Sequence, residues 1–309
     1  MMKPRVLINL NLSLIFAVGL MGFIGSTVVL AQNSRPLVKV NGKPITEQDL
    51  QVQFLTRNIP PEQQTLLREQ FLNDLIDQRL MQGYLQEEKV RVNKARVEES
   101  LAQVYQIIRE ANRDPQEVLQ RLGLSEQMLL EELKLPLAWQ VHLEEKVPPE
   151  KLRQFFDSRR QQFDGTKMHL RQIFLKVENQ EQEEIALNQL SQIKTGIEKG
   201  EIAFEEAARK YSQAPTANKG GDLGFVSYRG EMPISITGPA FELKQGELSV
   251  PFLSPFGAHL IQVVEIQSGD LSLEDVRNEV WNEMSEMVWN NIVSSRRKSA
   301  NIEWLTSPQ

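Results

Sequence analysis

The 309-residue sequence predicts an α+β protein in which a segment of short strands interrupts a mainly helical chain. From residue 61 to about 163, apolar residues recur every three or four positions, as in helices that bury one face. From 214 to 266, glycines, prolines and short apolar runs replace this spacing, as expected for strands and turns. The helical spacing returns from about 273 to 297. We expect this last helix to pack on the N-terminal helices, so that one module is built from both chain ends.

Composition narrows the classes of function. The chain has 35 basic and 41 acidic residues, a net charge of −6, and no basic stripe, which argues against nucleic-acid binding. It has no cysteine, which excludes disulfides, thiolate metal sites and cysteine nucleophiles. The three histidines include no i,i+4 pair, so a metal site is not expected, and the sequence predicts no cofactor.

The N-terminus has the pattern of an export signal. Lys3 and Arg5 precede an apolar run that ends with Ala31, a small residue at a suitable cleavage position. We interpret residues 1–31 as a secretory signal peptide, so that the remaining chain works outside the cytoplasm. The alternative is an uncleaved membrane anchor, because the run is nearly long enough to span a bilayer.

Residues 32–165 are predicted to be largely helical. The first mature segment reads as a short strand that turns at Asn41-Gly42, and Thr46 then caps a helix. A long helix follows Pro60-Pro61, and further helices are expected at about 94–110, 115–121 and 125–145. His142 lies in the last of these, which is interpreted as a polar helix, and is expected on the solvated surface.

A second domain is predicted for residues 166–268, after a plausible joint at 147–150. Its first part reads as a strand at 170–177, a helix at 181–199 and a second helix that ends near Tyr211. Residues 269–309 then supply a closing helix and a last short strand at about 301–305. There are no internal repeats.

The most informative motif is Gly220-Gly221-Asp222-Leu223-Gly224. Paired glycines let the backbone turn tightly before a strand, and an aspartate can bond the amides of such a turn. Alone, the motif also fits an ordinary turn. Here it follows a strand and two helices and precedes Met232-Pro233, the segment 240–251 and the segment 256–261.

This ordered series, from about Lys167 to Ile266, resembles the parvulin-type (PpiC) peptidyl-prolyl isomerases, and the flanking helices resemble those of the exported SurA and PrsA kind. The resemblance implies a four-stranded sheet wrapped by helices, inserted in a helical chaperone module. It also implies cis-trans isomerisation of X-Pro bonds in exported proteins, with unfolded or partly folded polypeptides as partners and no cofactor. The expected location is the periplasm, with the cell surface or a membrane anchor as alternatives.

The resemblance also assigns a binding pocket for the proline ring. Leu223 and Met232 fall at the family's pocket positions. Ile236 stands where an aromatic residue is usual, which keeps the pocket apolar but removes a flat wall. Phe256 is assigned to the same substrate-binding set.

The catalytic positions match the family only in part. His259 corresponds to the second active-site histidine, and Ser254 to its neighbouring hydroxyl. Gln172 stands at the position of the first histidine, and His169 is offset from that position by three residues. Ala214 replaces a cysteine or aspartate. Gln172 can still bond His259 if the sheet brings them together.

These departures leave more than one function open. The first hypothesis is an active prolyl isomerase and chaperone. The second is a non-catalytic holdase that keeps the fold for binding peptides, which Gln172 and Ala214 favour. A third is a scaffold tethered to the membrane. A serine hydrolase is a poor interpretation, because no G-x-S-x-G motif is present.

Overall fold

The computed structural model describes residues 35–57, 59–121 and 123–305. The predicted signal peptide, residues 1–31, lies outside the described residues. Within the described part of the chain, no helix is both long and apolar enough to cross a membrane.

The chain forms two compact units. One comprises Glu150–Trp281, and the other combines the described residues up to Pro149 with those from Asn282 onward. The prediction that one module is built from both chain ends is therefore confirmed. The domain boundaries at 166 and 268 stay a prediction.

The unit that combines both chain ends, which we call the helical unit, contains in its described residues one three-stranded antiparallel sheet and five helices before residue 147. Its elements in chain order are β1 (Pro36–Val40), β2 (Lys43–Thr46), α1 (Glu47–Thr56), α2 (Pro61–Glu87), α3 (Lys94–Glu110), α4 (Pro115–Arg121) and α5 (Glu126–Lys146). Asn41 and Gly42 join the first two strands with φ values of 50° and 80°, as a tight hairpin turn requires.

The helix starts follow from capping side chains. Thr46 and Asp49 bond each other's backbone amides, at 3.3 Å to the Thr46 Oγ1 and 2.7 Å to the Asp49 Oδ2. The Asn93 and Ser125 side chains accept hydrogen bonds from Ala95 N and Met128 N, at the starts of α3 and α5. These starts agree with the sequence prediction.

The C-terminal segment completes the helical unit. The strand β7 (Ile302–Trp304) pairs with β1, so the sheet order is β2-β1-β7. The last helix, which is α11 in chain order (Arg277–Ser299), is tied to α2 by an ion pair between Arg297 Nε and Asp77 Oδ1 at 2.5 Å. Ile302 also packs against the core of the hairpin, α1 and α2.

The second unit, which we call the sheet unit, contains a four-stranded antiparallel sheet in the order β4-β3-β6-β5. Its elements are α6 (Pro149–Ser158), α7 (Arg160–Phe163), β3 (Lys167–Lys176), α8 (Gln180–Glu198), α9 (Phe204–Tyr211), β4 (Asp222–Ser227), α10 (Ile234–Phe241), β5 (Phe252–Ser254) and β6 (Gly257–Gln267). The helices α8 and α9 pack on Ile173 and Leu260, whereas α10 packs on the opposite face, on Met168 and Val263.

Two expectations were wrong. Residues 234–241 form α10, where we predicted only strands and turns. Its β-branched residues and the internal Pro239 disfavour a helix, but burial of Ile236 and Phe241 against the sheet outweighs that local preference.

His142 is also not on the surface: only 1% of it is exposed. Because it follows Trp139 by three residues, it lies on the same inner face of α5. Its ring stacks on Trp139, and its Nε2 lies 3.2 Å from the Tyr84 hydroxyl.

Candidate functional site

The candidate site is centred on His259, in the middle of the sheet. His259 lies on β6, directly across from Phe174 on β3 and Phe252 on β5. Side chains of directly paired residues point to the same face, so both aromatic rings border the imidazole. Phe252 stacks on it with centroids 5.3 Å apart, and Phe174 lies at 5.1 Å. Only 2% of His259 is exposed.

Both nitrogens of His259 have a polar partner. The Ser254 Oγ lies 2.7 Å from Nε2, and the Gln172 Oε1 lies 3.3 Å from Nδ1. The Gln172 Oε1 is an amide oxygen that can only accept, so Nδ1 carries the ring proton and donates a hydrogen bond to it. Nε2 is then the acceptor and receives a hydrogen bond from the Ser254 hydroxyl, whose oxygen also accepts from Phe256 N at 3.1 Å. This directional chain assigns a single neutral tautomer.

Burial lowers the pKa of His259 to about 4. The imidazole is therefore uncharged at neutral pH, and its hydrogen-bond partners are neutral as well. Such an imidazole is a weak base, so the pair Ser254–His259 lacks the activation expected of a hydrolytic nucleophile. The arrangement suits orientation of polar groups rather than proton transfer.

An apolar cluster lies on the same face of the sheet. Leu223, Met232 and Phe252 are partly buried and pack against a buried set that includes Ile236. Phe252 also stacks on His259, so it contacts both the cluster and the hydrogen-bonded set Ser254–His259–Gln172. Ile236 is only 5% exposed and forms the floor, whereas Phe256 is 55% exposed and stands outside the cluster.

The glycine pair of the motif brings β4 close to Gln172. Gly221 has a φ of +79°, and a Cβ atom at this position would overlap the carbonyl oxygen of Gln172. Its own carbonyl oxygen accepts a hydrogen bond from Gln172 N at 2.9 Å. Only glycine allows this approach, and Gln172 is thereby held in place at the backbone.

The other motif residues shape the turn. Asp222 accepts a hydrogen bond from Gly224 N at 2.9 Å and pairs with His169 Nε2 at 2.7 Å. The bond from Gly224, followed by that from His169, lowers the pKa of Asp222. Paired strand positions place His169 on the opposite face from Met168 and the apolar cluster. His169 therefore does not substitute for Gln172.

The structure brings most of the predicted site residues together. Gln172 and Ser254 contact His259, and Leu223, Met232 and Ile236 share one cluster. Ala214 is buried and offers no side-chain polar group. Sequence reasoning missed Phe174 and Phe252 as ring neighbours of His259. Their signal was the antiparallel pairing of β3, β6 and β5, which cannot be read without the register.

No group of three or more histidine, aspartate or glutamate residues is placed to hold a metal ion in the part of the chain that the structure describes.

Comparison with known proteins identifies two segments. Residues 172–265 match the family model described as PPIC-type PPIASE domain. Residues 3–142 match the model described as SurA-like N-terminal domain.

The similar curated proteins are folding factors by name. Chaperone SurA of Bordetella avium (strain 197N) is 41% identical over 109 residues, which are 35% of this chain and 21% of that protein. Foldase protein PrsA of Bacillus subtilis (strain 168) is 33% identical over 118 residues, 36% of this chain and 39% of that protein. The matches thus span well under half of each relative's length.

Among solved structures, the peptidylprolyl isomerase PrsA from Bacillus anthracis is similar at 21% identity and a TM-score of 0.43. The match covers 74% of this chain and 96% of that one.

Proposed function

We propose that this chain, in which a PpiC-type prolyl isomerase domain follows a SurA-like N-terminal domain, is an extracytoplasmic folding factor that isomerises X-Pro bonds and binds unfolded chains. The observation that supports the catalytic part best is the neutral, fully bonded His259 beside an apolar cluster. The predicted signal peptide at residues 1–31 supports export.

The reaction needs no covalent intermediate. Rotation about the amide bond has a barrier of about 18–20 kcal/mol, because the twisted state loses resonance. A site lowers this barrier by binding the twisted state more tightly than either planar isomer. In our proposal Leu223, Met232 and Ile236 hold the proline ring and remove water from the amide.

The hydrogen-bonded set Ser254–His259–Gln172 has a complementary role. His259 is neutral, so it does not need to give up or take a proton to act. Its contribution is to hold Ser254 and Gln172 in one arrangement next to the apolar cluster. We propose that this fixed arrangement favours the charge distribution of the twisted amide.

A specific observation favours a second candidate function. Gln172 and Ala214 replace two polar positions of the family pattern, which favours a holdase that retains the fold only to bind peptides. Such a protein binds unfolded chains without changing the rate of isomerisation.

Two measurements on the same purified protein distinguish these functions. The first is the rate of cis-trans isomerisation in a short X-Pro peptide. The second is suppression of aggregation of an unfolded test protein that lacks proline. We expect both activities. Suppression without acceleration would establish the holdase, and acceleration without suppression would remove the chaperone part.

Export is tested separately. We expect the mature protein in the periplasmic fraction with its N-terminus near residue 32. Retention of residues 1–31 together with sedimentation in the membrane fraction would favour the tethered alternative.

A further inference from the structure

A groove lies on the helical unit, between the β1–β2 turn, α2 and the C-terminal half of α11. It consists of two adjoining cavities of about 400 Å³ and 500 Å³, both lined by Tyr84, Arg296 and Ser299. We call it the hairpin groove. No residue of the His259 site lines it.

The floor of the hairpin groove is apolar. Val40 and Leu80 line it and are 2% and 4% exposed, so they belong to the core and present only a small face. Tyr84 and Ile292 extend this surface into the second cavity. Gly83 lies on α2 between Leu80 and Tyr84, and a Cβ atom there would meet nothing within 4 Å. The absence of a side chain at Gly83 therefore keeps the groove open.

The rim of the groove carries two cations that form no close ion pair, although Arg79 also interacts electrostatically with Glu132. Among the described residues, Lys43 and Arg79 form no ion pair with a carboxylate. Lys43 Nζ contacts only the Gln86 Oε1 at 3.4 Å, and Arg79 contacts the Pro44 carbonyl at 3.5 Å. Arg296 differs, because it pairs with Glu87 at 2.6 Å. In a chain with a net charge of −6, two cations that lie above an apolar floor and form no close ion pair are a specific feature.

Polar side chains extend along the second cavity. Asn291 and Ser295 line it beside Ile292. Amide and hydroxyl groups can bond the backbone of an extended peptide while an apolar surface accepts its side chains. The groove thus offers three kinds of contact: hydrogen bonds to a peptide backbone, apolar surface and positive charge.

We propose that the hairpin groove binds an extended segment of an unfolded polypeptide in which an acidic side chain adjoins apolar residues. The apolar side chains lie on Val40, Leu80 and Tyr84, and the carboxylate pairs with Lys43 and Arg79. This inference rests on the chaperone part of the proposed function and is independent of the His259 site. It assigns a sequence preference to the clients that the helical unit holds.

The test uses the full chain and two fluorescent peptides with acetylated and amidated ends. Both contain leucine, valine and serine, with either one central aspartate or one central asparagine. We expect the aspartate peptide to bind about fivefold more tightly, because exposed ion pairs contribute modestly. The difference should shrink as salt rises from about 50 to about 500 mM.

Variants then locate the site. The double substitution Lys43→Met and Arg79→Met should remove the preference for aspartate. Lys94→Met is the matched control, because Lys94 is exposed and pairs with Glu98 outside the groove; it should keep the preference. Gly83→Leu should fill the groove and weaken binding of both peptides at least fivefold. Since leucine favours a helix over glycine, this variant should fold at least as stably as the parent.

The results that would contradict the peptide site in the hairpin groove differ from those that would contradict the proposed function. Three results would each contradict the proposed peptide site in the hairpin groove. They are equal binding of the two peptides, an unchanged preference in the double variant, and unchanged binding in Gly83→Leu. If those results came with normal isomerisation and aggregation suppression, the proposed function would stand. If the aspartate preference held but both activities were absent, the groove would stand and the proposed function would fail.

Discussion

The two units each bury one histidine almost completely, and the two rings differ in how many of their nitrogens have a partner. His259 in the sheet unit bonds Ser254 and Gln172. His142 in the helical unit bonds only Tyr84, and its buried Nδ1 has no hydrogen-bond partner among the described residues. Burial lowers the pKa of both.

The number of hydrogen-bonded ring nitrogens distinguishes a histidine that a network orients from one that is held only by packing. Two partners fix the ring orientation and the tautomer of His259, as a functional site requires. One partner leaves His142 dependent on its stacking with Trp139. A buried nitrogen without a hydrogen bond is unfavourable by about 1–3 kcal/mol. The packing of the helices offsets this cost for His142, and no hydrogen-bond network depends on its ring. Burial alone therefore does not identify the functional histidine.

The largest expected effect tests whether the backbone holds the His259 network in place. Gly221→Ala should lower the free energy of unfolding by about 3 kcal/mol or more, because the methyl group overlaps the Gln172 carbonyl and the φ of +79° is strained. Gly224→Ala is the matched control: its φ is +70°, but nothing lies within 4 Å. It should lose only about 1 kcal/mol. Urea unfolding of both variants measures the difference, and equal losses would show that the close contact is unimportant.

The next effect is on catalysis. His259→Ala should reduce the rate of isomerisation at least tenfold, because Ser254 and Gln172 lose the group that holds them, and a positioned polar group contributes roughly this much or more. His142→Gln removes the other buried imidazole and should leave the rate unchanged. Stopped-flow measurement on an X-Pro peptide compares them. A full rate in His259→Ala would remove this residue from the site and weaken the contrast between the two histidines.

Gln172 should have a smaller effect, because its loss leaves His259 and Ser254 bonded to each other. We expect Gln172→Leu to reduce the rate about fivefold, since one lost hydrogen bond contributes about 1 kcal/mol. Nitrogen NMR of the wild-type ring should show the Nδ1–H tautomer, and Gln172→Leu should show a mixture.

Gln172→His is the corresponding rescue variant. It should retain the rate but add a dependence on pH between about 5 and 7, where an imidazole titrates. A single Nδ1–H tautomer in Gln172→Leu would mean that Ser254 alone fixes the ring.

Sequence predicted the elements whose local signals agree with their packing. Capping residues such as Thr46 and Ser125 gave the helix starts, and the glycine motif marked the turn before β4. The resemblance also proposed that Gln172 and His259 could bond, and the register of β3 and β6 places them together.

The missed features depend on tertiary contacts. The helix α10 forms against its own local preference because the sheet buries Ile236 and Phe241. His142 was expected on the surface because its helix carries many charged residues and glutamines, yet Trp139 and Tyr84 enclose its ring. A sequence pattern shows which face a helix buries only where apolar residues mark it. A histidine on that face gives no such signal in the sequence.

The smallest effect concerns acid stability. Burial lowers the pKa of His142, an effect that Lys146 reinforces and that Glu88 and Glu145 oppose. A histidine with a depressed pKa binds its proton in the unfolded chain first, so stability is fully present above about pH 6.5 and falls as the pH drops. His142→Gln should therefore lose less unfolding free energy between pH 7 and pH 5 than the wild type, as measured by urea unfolding at both values. Isomerisation should stay constant over the same range, because His259 has a pKa of about 4 and is still mostly neutral at pH 5. A rate that fell with the midpoint of a normal histidine would mean that the ring of His259 meets solvent, and the distinction between the two buried histidines would then fail.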